Sequence, residues 1–395
     1  MFATVLLAIL ACGPAEAAEG PGPSPDYPAL GREVVKTVRD QFLDAGRAAA
    51  WAERNADYAA NVRDGADFAL RTNEALAELA TSHTQYYPRG TASYWGLLAI
   101  FGSTLEAGPV AYDSIGADVS DRHFVRRVLA GGPAARAGVL RGDRLVAVDG
   151  KPYDPVGPFD GKAGRPVELT VERAAGGPPH TLWVTPNRVD PKIEWVTAMD
   201  EGARLFARDG VDVAYVPVPW CVGEEVAELM RDMIAVRFSD ADALVLDFRD
   251  GWGGCNPDFL NHFNAAPPVM TLIDREGARR SYDPQWRKPL YFLINGGSRS
   301  GKEVIAHAVR RQGLGTLVGS RTAGFVVGGR PFLLSDESVL YLAVMDVLVD
   351  GERLEGVGVM PHIDVPDRLE YAAGADPQLE RAIDDAVERL RPGAP

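Results

Sequence analysis

Apolar residues in the first part of the chain recur at helical spacing. Val34, Val38 and Phe42, then Leu70, Leu76 and Leu79, mark the inner face of helical structure from Gly31 to about Ala80. "TSHTQYYPRG", residues 81–90, breaks that pattern. Beyond about residue 110 the period shortens. "RLVAVDG" alternates as a strand does, and "PVELTVER" and "TLWVTP" follow as further strands. Between them lie a short helix at 133–137 and the Asp149-Gly150 turn signal. From Trp195 onward, strand-like runs alternate with helical ones: "VDVAYVPV", "GEEVAELMRDMIAVRF", "ALVLDF", "PLYFLIN", a helix at 302–311 and "LGTLVGS". Strand–helix alternation implies parallel βαβ units, hence an α/β core. "DPQLERAIDDAVERL" closes the chain as a capped amphipathic helix.

The N-terminal stretch changes the picture of location. "MFATVLLAILACGPAEAAEG" is apolar from Val5 to Ala11 and then rich in small residues. It is too short to span a bilayer and reads as a signal peptide over residues 1–18, although its start carries no Lys or Arg. "ILAC" also resembles a lipobox, which makes Cys12 a candidate for a lipid anchor. Residues 19–30 form a Pro/Gly linker, and no transmembrane run follows. Of the 395 residues 41 are basic and 55 acidic, a net charge of −14 that argues against a nucleic-acid partner. Cys221 and Cys255 each follow a strand-like run. In an exported chain they can pair or stay as buried thiols.

Three glycine-bearing turns end strands of the α/β core, where ligands of such sheets bind: residues 250–254, 295–301 and 321–329. Ser300 sits where a helix begins, so backbone N–H groups and the helix dipole surround its hydroxyl. Gly253 and Gly254 allow backbone to approach a ligand. With the N–H of Gly301 they are the parts of an oxyanion hole. By itself this is a weak signal, since a serine opening a helix is far more often a cap than a nucleophile, and Ser298 is a near rival. His307 reads as structural. No Cys/His cluster has metal-ligand spacing, and neither a dinucleotide fingerprint nor a phosphate loop is present. The expectation is no cofactor and no metal.

"GGPAARAGVLRGDRLVAVDGKPYD" closely resembles the signature of PDZ domains. The resemblance implies that "SIGADV", with Ile115, Gly116 and Ala117, receives a peptide C-terminus through backbone N–H groups and a strand edge. Together with "LVLDFRDGWGG", "LINGGSRSGKEVIAHAVRRQGLGTLVGSRTAG" and "LEGVGVMPHIDV", this module resembles the C-terminal-processing (tail-specific) serine proteases over nearly the whole mature chain. The family's "SASASE" aligns on 298–303 and implies Ser300 as nucleophile. One branch pairs that serine with a lysine in "GxxTFGKG". Here Phe325 stands in the lysine's place, and Phe accepts no proton. Lys302 lies two residues along the helix from Ser300, on another face. The branch similar to the tricorn protease core takes its base from "TSH" instead, and "ELATSHTQYYP" has Ser82-His83 there. "LEGVGVMPHI" supplies Glu355, with His362 where the family has Asp. The resemblance thus implies a tetrad of Ser300, His83, Ser82 and Glu355, with triad logic.

The implied architecture is a crotonase/ClpP-like αβ core at 195–372. A helical segment at 31–109 carries Ser82-His83, a PDZ domain is inserted at 110–190, and a C-terminal helix covers 373–395. The implied activity is that of an exported, periplasmic or extracellular, serine endopeptidase acting on protein or peptide substrates. Two rivals stand beside it. One is a catalytically inactive relative that binds peptides or other ligands. The other is a crotonase-like acyl-CoA enzyme.

Overall fold

The computed structural model describes residues 26–391 except 106–107, 265–266, 274 and 276. The signal-peptide segment, the lipobox Cys12 and residues 19–25 of the linker lie outside the described residues. The first helix, Tyr27–Gln41, starts inside the Pro-rich stretch. Asp26 caps it by accepting the Ala29 N–H at 3.0 Å, and Pro28 fits the first turn, where no N–H partner is needed.

The core is a six-stranded sheet in the order Arg204–Arg208, Val211–Pro217, Ala243–Asp247, Leu290–Ile294, Thr316–Gly319, Ile363–Asp364. The first pair is antiparallel and the rest run parallel. Ala243–Asp247 and Leu290–Ile294 are buried at every position. That is why they read as continuous apolar runs instead of alternating ones. One face packs on Trp220, Phe248, Phe292, Ile305 and Val309. The other is covered by the helix Pro377–Leu390 through Leu379, Ile383 and Val387.

The N-terminal segment is three helices, Tyr27–Gln41, Ala45–Arg54 and Gly65–Ala77. They pack on a separate antiparallel sheet in the order Gln85–Tyr87, Val339–Met345, Gly328–Leu333. The expected face holds at Val34, Val38, Phe42, Leu76 and Leu79. Leu70 is exposed, and Phe68 takes the buried place. Two helices escaped the periodicity: Ala92–Leu105, apolar nearly all round, and Pro191–Gly202.

The inserted module has its own core of Val125, Leu145, Val148, Phe159, Leu169 and Val171. It is tied to the main sheet by a buried ionic network. Arg249 makes two hydrogen bonds to Asp247, both 2.9 Å, and two to Asp376, at 2.7 and 2.6 Å. Arg127 of the module donates to the Arg249 carbonyl at 3.0 Å. Asp376 also caps the last helix.

Cys221 and Cys255, left open by the sequence, are disulfide-bonded across 34 residues. The bond joins the loops after two neighbouring parallel strands. Closing a loop of that length removes denatured-state freedom worth about 3–4 kcal/mol. Cys221→Ser/Cys255→Ser should therefore unfold several degrees below wild type in a thermal melt. Equal midpoints would show that the crosslink does not stabilise this fold.

Candidate active site

The loops following Val211–Pro217, Ala243–Asp247, Leu290–Ile294 and Thr316–Gly319 converge at the carboxyl end of the parallel strands. A cavity of about 480 Å³ opens there, and its wall includes Ser82, His83, Gly253, Gly254, Ser300 and Gly301. Residues more than 200 positions apart thus share one cleft. Glu355 stands behind Ser82.

Ser300 is the N-cap residue of Gly301–Gln312, but its hydroxyl makes no capping bond. The expectation of a capping serine is corrected by its backbone, at φ +59° and ψ −130°. Ordinary N-caps sit in the β region, where the side chain meets the second or third helical N–H. A positive φ at a non-glycine residue costs about 1–3 kcal/mol unless the surroundings hold it. Three contacts do so here. The Ser300 N–H donates to the Phe325 carbonyl at 2.8 Å, and the Ser300 carbonyl accepts the Glu303 N–H at 2.8 Å. Gly253 lies so close that a Cβ on it would sit 2.8 Å from the Ser300 Cβ. Phe325 is itself pinned, since the buried Glu303 carboxylate accepts its N–H and that of Gly324, both at 2.7 Å.

Ser298 is buried and fully engaged. Its hydroxyl donates to the Phe248 carbonyl at 2.9 Å and accepts the Asn295 N–H at 3.0 Å. Lys302 is buried as well, and its ammonium donates to the Asp250 carbonyl at 2.6 Å, outside the cavity wall. Burial, then the nearby Arg127, lowers its pKa to about 7. His307 lies in the same helix, 3.7 Å from Asp350 and away from the cleft. Phe325 lines the cavity in the slot where one branch of the resembled family has lysine.

The His83 side begins with Glu355. Its carboxylate accepts the N–H groups of Ser82 at 2.9 Å, Val326 at 2.7 Å and Val327 at 3.2 Å, and the Ser82 hydroxyl at 2.9 Å. Burial alone would raise its pKa, but these donors outweigh burial and keep it below the ordinary value. Ser82 Oγ lies 2.9 Å from His83 Nδ1. A carboxylate only accepts, so the Ser82 proton points to Glu355 and its lone pair takes Nδ1–H. His83 then presents an unprotonated Nε2 to the cleft. Burial, reinforced by the Arg299 cation and opposed by Glu355, lowers its pKa to about 4. His83 has φ +54° and is backed by Gly329, where a Cβ would lie 2.9 Å from the His83 Cβ. No hydrogen bond joins Ser300 to His83 among the described residues.

The N–H groups of Gly253, Gly254 and Gly301 have no acceptor among the described residues. Gly254 has φ +81°, open to glycine alone at no steric cost. Cys255, next along, backs directly on Gly301.

The inserted module contributes no residue to the cavity wall. Ile115 is a core residue whose carbonyl accepts the Ala134 N–H at 2.7 Å. The Gly116 N–H already donates to Ser114 Oγ at 2.9 Å, and that hydroxyl donates to Glu194 at 2.7 Å. A carboxylate arriving at this loop would have to displace Ser114. Ala117 opens the strand Ala117–Val119, which pairs on one edge with Val125–Val128. Sequence reasoning missed the part of the cavity wall where Leu97, Ile100 and Phe101 come from the unanticipated helix Ala92–Leu105. It also missed Arg299 and Tyr341. The near-continuous apolar run at 92–101 was the signal for that helix.

Among the described residues no group of His, Cys, Asp and Glu could hold a metal ion. No helix among them is long and apolar enough to cross a membrane.

Comparison with known proteins gives residues 212–365 as a match to peptidase family S41 and residues 124–173 as a match to a PDZ domain. Tricorn protease homolog 1 of Streptomyces coelicolor is 32% identical over 335 residues, which is 80% of this chain and 30% of that protein. The carboxyl-terminal-processing protease of Picosynechococcus is 25% identical over 276 residues, 65% of this chain and 64% of that protein. The chain therefore spans under two thirds of either relative. Among solved structures, the photosystem II D1 C-terminal processing protease superposes with a TM-score of 0.52 at 22% identity, covering 89% of this chain and 98% of that one. The tricorn protease gives 0.54, also at 22% identity, covering 91% and 36%.

The two serines of the 295–301 turn should separate in a stability assay. Ser298→Ala strands a buried amide and carbonyl and should cost about 1–3 kcal/mol in denaturant unfolding. Ser300→Ala breaks no hydrogen bond of its hydroxyl and should cost almost nothing. The reverse ranking would contradict these assignments.

Proposed function

We propose that this chain, which carries a domain of peptidase family S41 and a PDZ domain, is a serine endopeptidase that cleaves protein or peptide substrates at Ser300. The observation that carries the reading is the relay Glu355–Ser82–His83 ending in an unprotonated Nε2 in the same cleft as a non-capping Ser300.

The chemistry follows from those positions. Ser300 Oγ bonds to the substrate carbonyl carbon while its proton passes to His83 Nε2. The carbonyl π pair moves to oxygen, which the free N–H groups of Gly301 and of Gly253 or Gly254 stabilise. The imidazolium is held through Ser82 to the Glu355 carboxylate. Collapse of the adduct breaks the C–N bond, and Nε2–H protonates the leaving amine. Water then attacks the acyl carbon as the same nitrogen takes its proton, and the acyl–oxygen bond breaks as Nε2–H returns that proton to Ser300 Oγ. No residue of this scheme calls for a cofactor. Ser82 and Glu355 act as positioning residues that hold tautomer and charge.

In this reading the PDZ domain delivers C-termini or unfolded segments through the free edge of Ala117–Val119. An exported location, periplasmic or extracellular and with Cys12 as a candidate lipid anchor, gains support from the disulfide, which persists in oxidising compartments.

A fluorophosphonate probe should label wild type and fail on Ser300→Ala. His83→Ala should slow labelling by about 10²–10⁴, the usual weight of a general base. Unlabelled wild-type protein would favour a binding role for the chain. The pH profile of kcat/KM gives a second check. The base works when neutral, so the rate falls as pH drops through the pKa of His83 in the free enzyme. That limb should lie near pH 4, below the ordinary 6.5. A limb at 6.5 would place the working histidine in a wetter site than this one.

A further inference from the structure

Arg299, between the buried Ser298 and the candidate nucleophile, lines the cavity and has no assigned role. It is half-buried. It makes no ion pair among the described residues, where most other arginines of the chain make one. The one hydrogen bond from its guanidinium there goes to the Gly251 carbonyl at 3.3 Å. Its guanidinium carbon lies over the Trp252 ring, 5.4 Å from the ring centroid. Trp252 is held in turn by its backbone N–H to the Pro219 carbonyl at 2.8 Å, and its ring packs against Gly96, where any side chain would collide with it. A cation is therefore fixed at the cleft with most of its N–H donors unspent. Glu355, the acid behind the same wall, has its oxygens taken by four donors. Asp118 and Asp250 are the other carboxylates of this region. Asp250 is paired with Arg126 at 3.7 Å, and Asp118 stays beyond ion-pair distance of Arg299.

A guanidinium in a partly dry pocket gains most from a planar anion that accepts two parallel N–H bonds. In a peptide that anion is a carboxylate. The cavity lining also includes Leu97, Phe101, Val304 and the ring of Tyr341, apolar surface that suits a hydrophobic side chain. We propose that Arg299 selects peptides with a carboxylate close to the scissile bond, next to a residue with an apolar side chain. The carboxylate is a Glu or Asp side chain. This rests on the peptidase reading and adds the substrate class.

The test uses the whole protein and fluorogenic peptides that share one apolar residue at the cleavage position. One pair differs by Glu or Gln beside it, and the other by a free or amidated C-terminus. Wild type should show kcat/KM about tenfold or more higher for the Glu member of the first pair, as expected for a charge-assisted hydrogen bond. A response confined to the free/amidated pair overturns the proposal. Arg299→Gln should bring that ratio close to one, and Arg299→Glu should turn it in favour of a Lys-bearing peptide. A wild-type ratio near one, or a ratio that survives Arg299→Gln, overturns the proposal. Fluorophosphonate labelling separates the two ideas, because the probe carries no carboxylate. Labelling with a flat ratio removes only the role of Arg299, whereas absence of labelling removes the peptidase reading beneath it. If Arg299→Gln does not fold, the wild-type ratios still decide.

Discussion

One carboxylate, that of Glu355, joins parts of the chain that are otherwise far apart. It collects four hydrogen bonds from the Ser82 amide, the Ser82 hydroxyl and the amides of Val326 and Val327. Ser82 lies 273 residues away in sequence. Hydrogen bonds to a charged group are worth about 1.5–3 kcal/mol each, enough to define where the N-terminal segment meets the loop after Thr316–Gly319. The same bonds keep Glu355 ionised, which makes it purely an acceptor. That one property sets the direction of the Ser82 proton and so the tautomer of His83. A packing constraint and an electrostatic one are here the same contact.

The opposite side of the cleft depends on strain that its neighbours hold in place. Ser300 keeps a backbone that non-glycine residues avoid, and the cost is met by Phe325, Gly253 and the first turn of its own helix. Glu303 fixes Phe325, and the disulfide fixes the glycine turn. The result is a hydroxyl turned into the cleft rather than onto its helix, near three amides that have no acceptor among the described residues. Polar groups left unmatched beside a cavity are unusual in a protein interior, and such places are where ligands complete the bonding.

The inserted module is tied to the sheet beneath this cleft by Arg127, Asp247, Arg249 and Asp376. Burial of so many charges is tolerable because each has several partners. Arg249 alone spans the core strand and the cap of the last helix. The network holds three units in one arrangement where an apolar contact would allow sliding.

Much of this was legible in the sequence. Two buried parallel strands announce themselves as uninterrupted apolar runs, because both of their faces are covered. The strand ends were marked by glycine turns, and the PDZ-like signature by its own spacing. The motifs around Ser82-His83, Ser300 and Glu355 pointed to residues that the fold gathers in one region. What the sequence could not state was relation. Leu70 matched the helical period, yet Phe68 faces the core, because the choice between neighbouring positions depends on what the helix packs against. A serine opening a helix looks like a cap; only the backbone torsion, imposed by Phe325 and Gly253, turns Ser300 away from that role. Cys221 and Cys255 became a disulfide because parallel strands bring their loops side by side. Arg299 became notable only when the cavity was seen to contain no acid to pair with it. Local pattern determined which residues were equipped for chemistry. Tertiary structure decided which were spent on holding the fold and which were left free, because hydrogen-bonding capacity is allotted by neighbours in space, not in sequence.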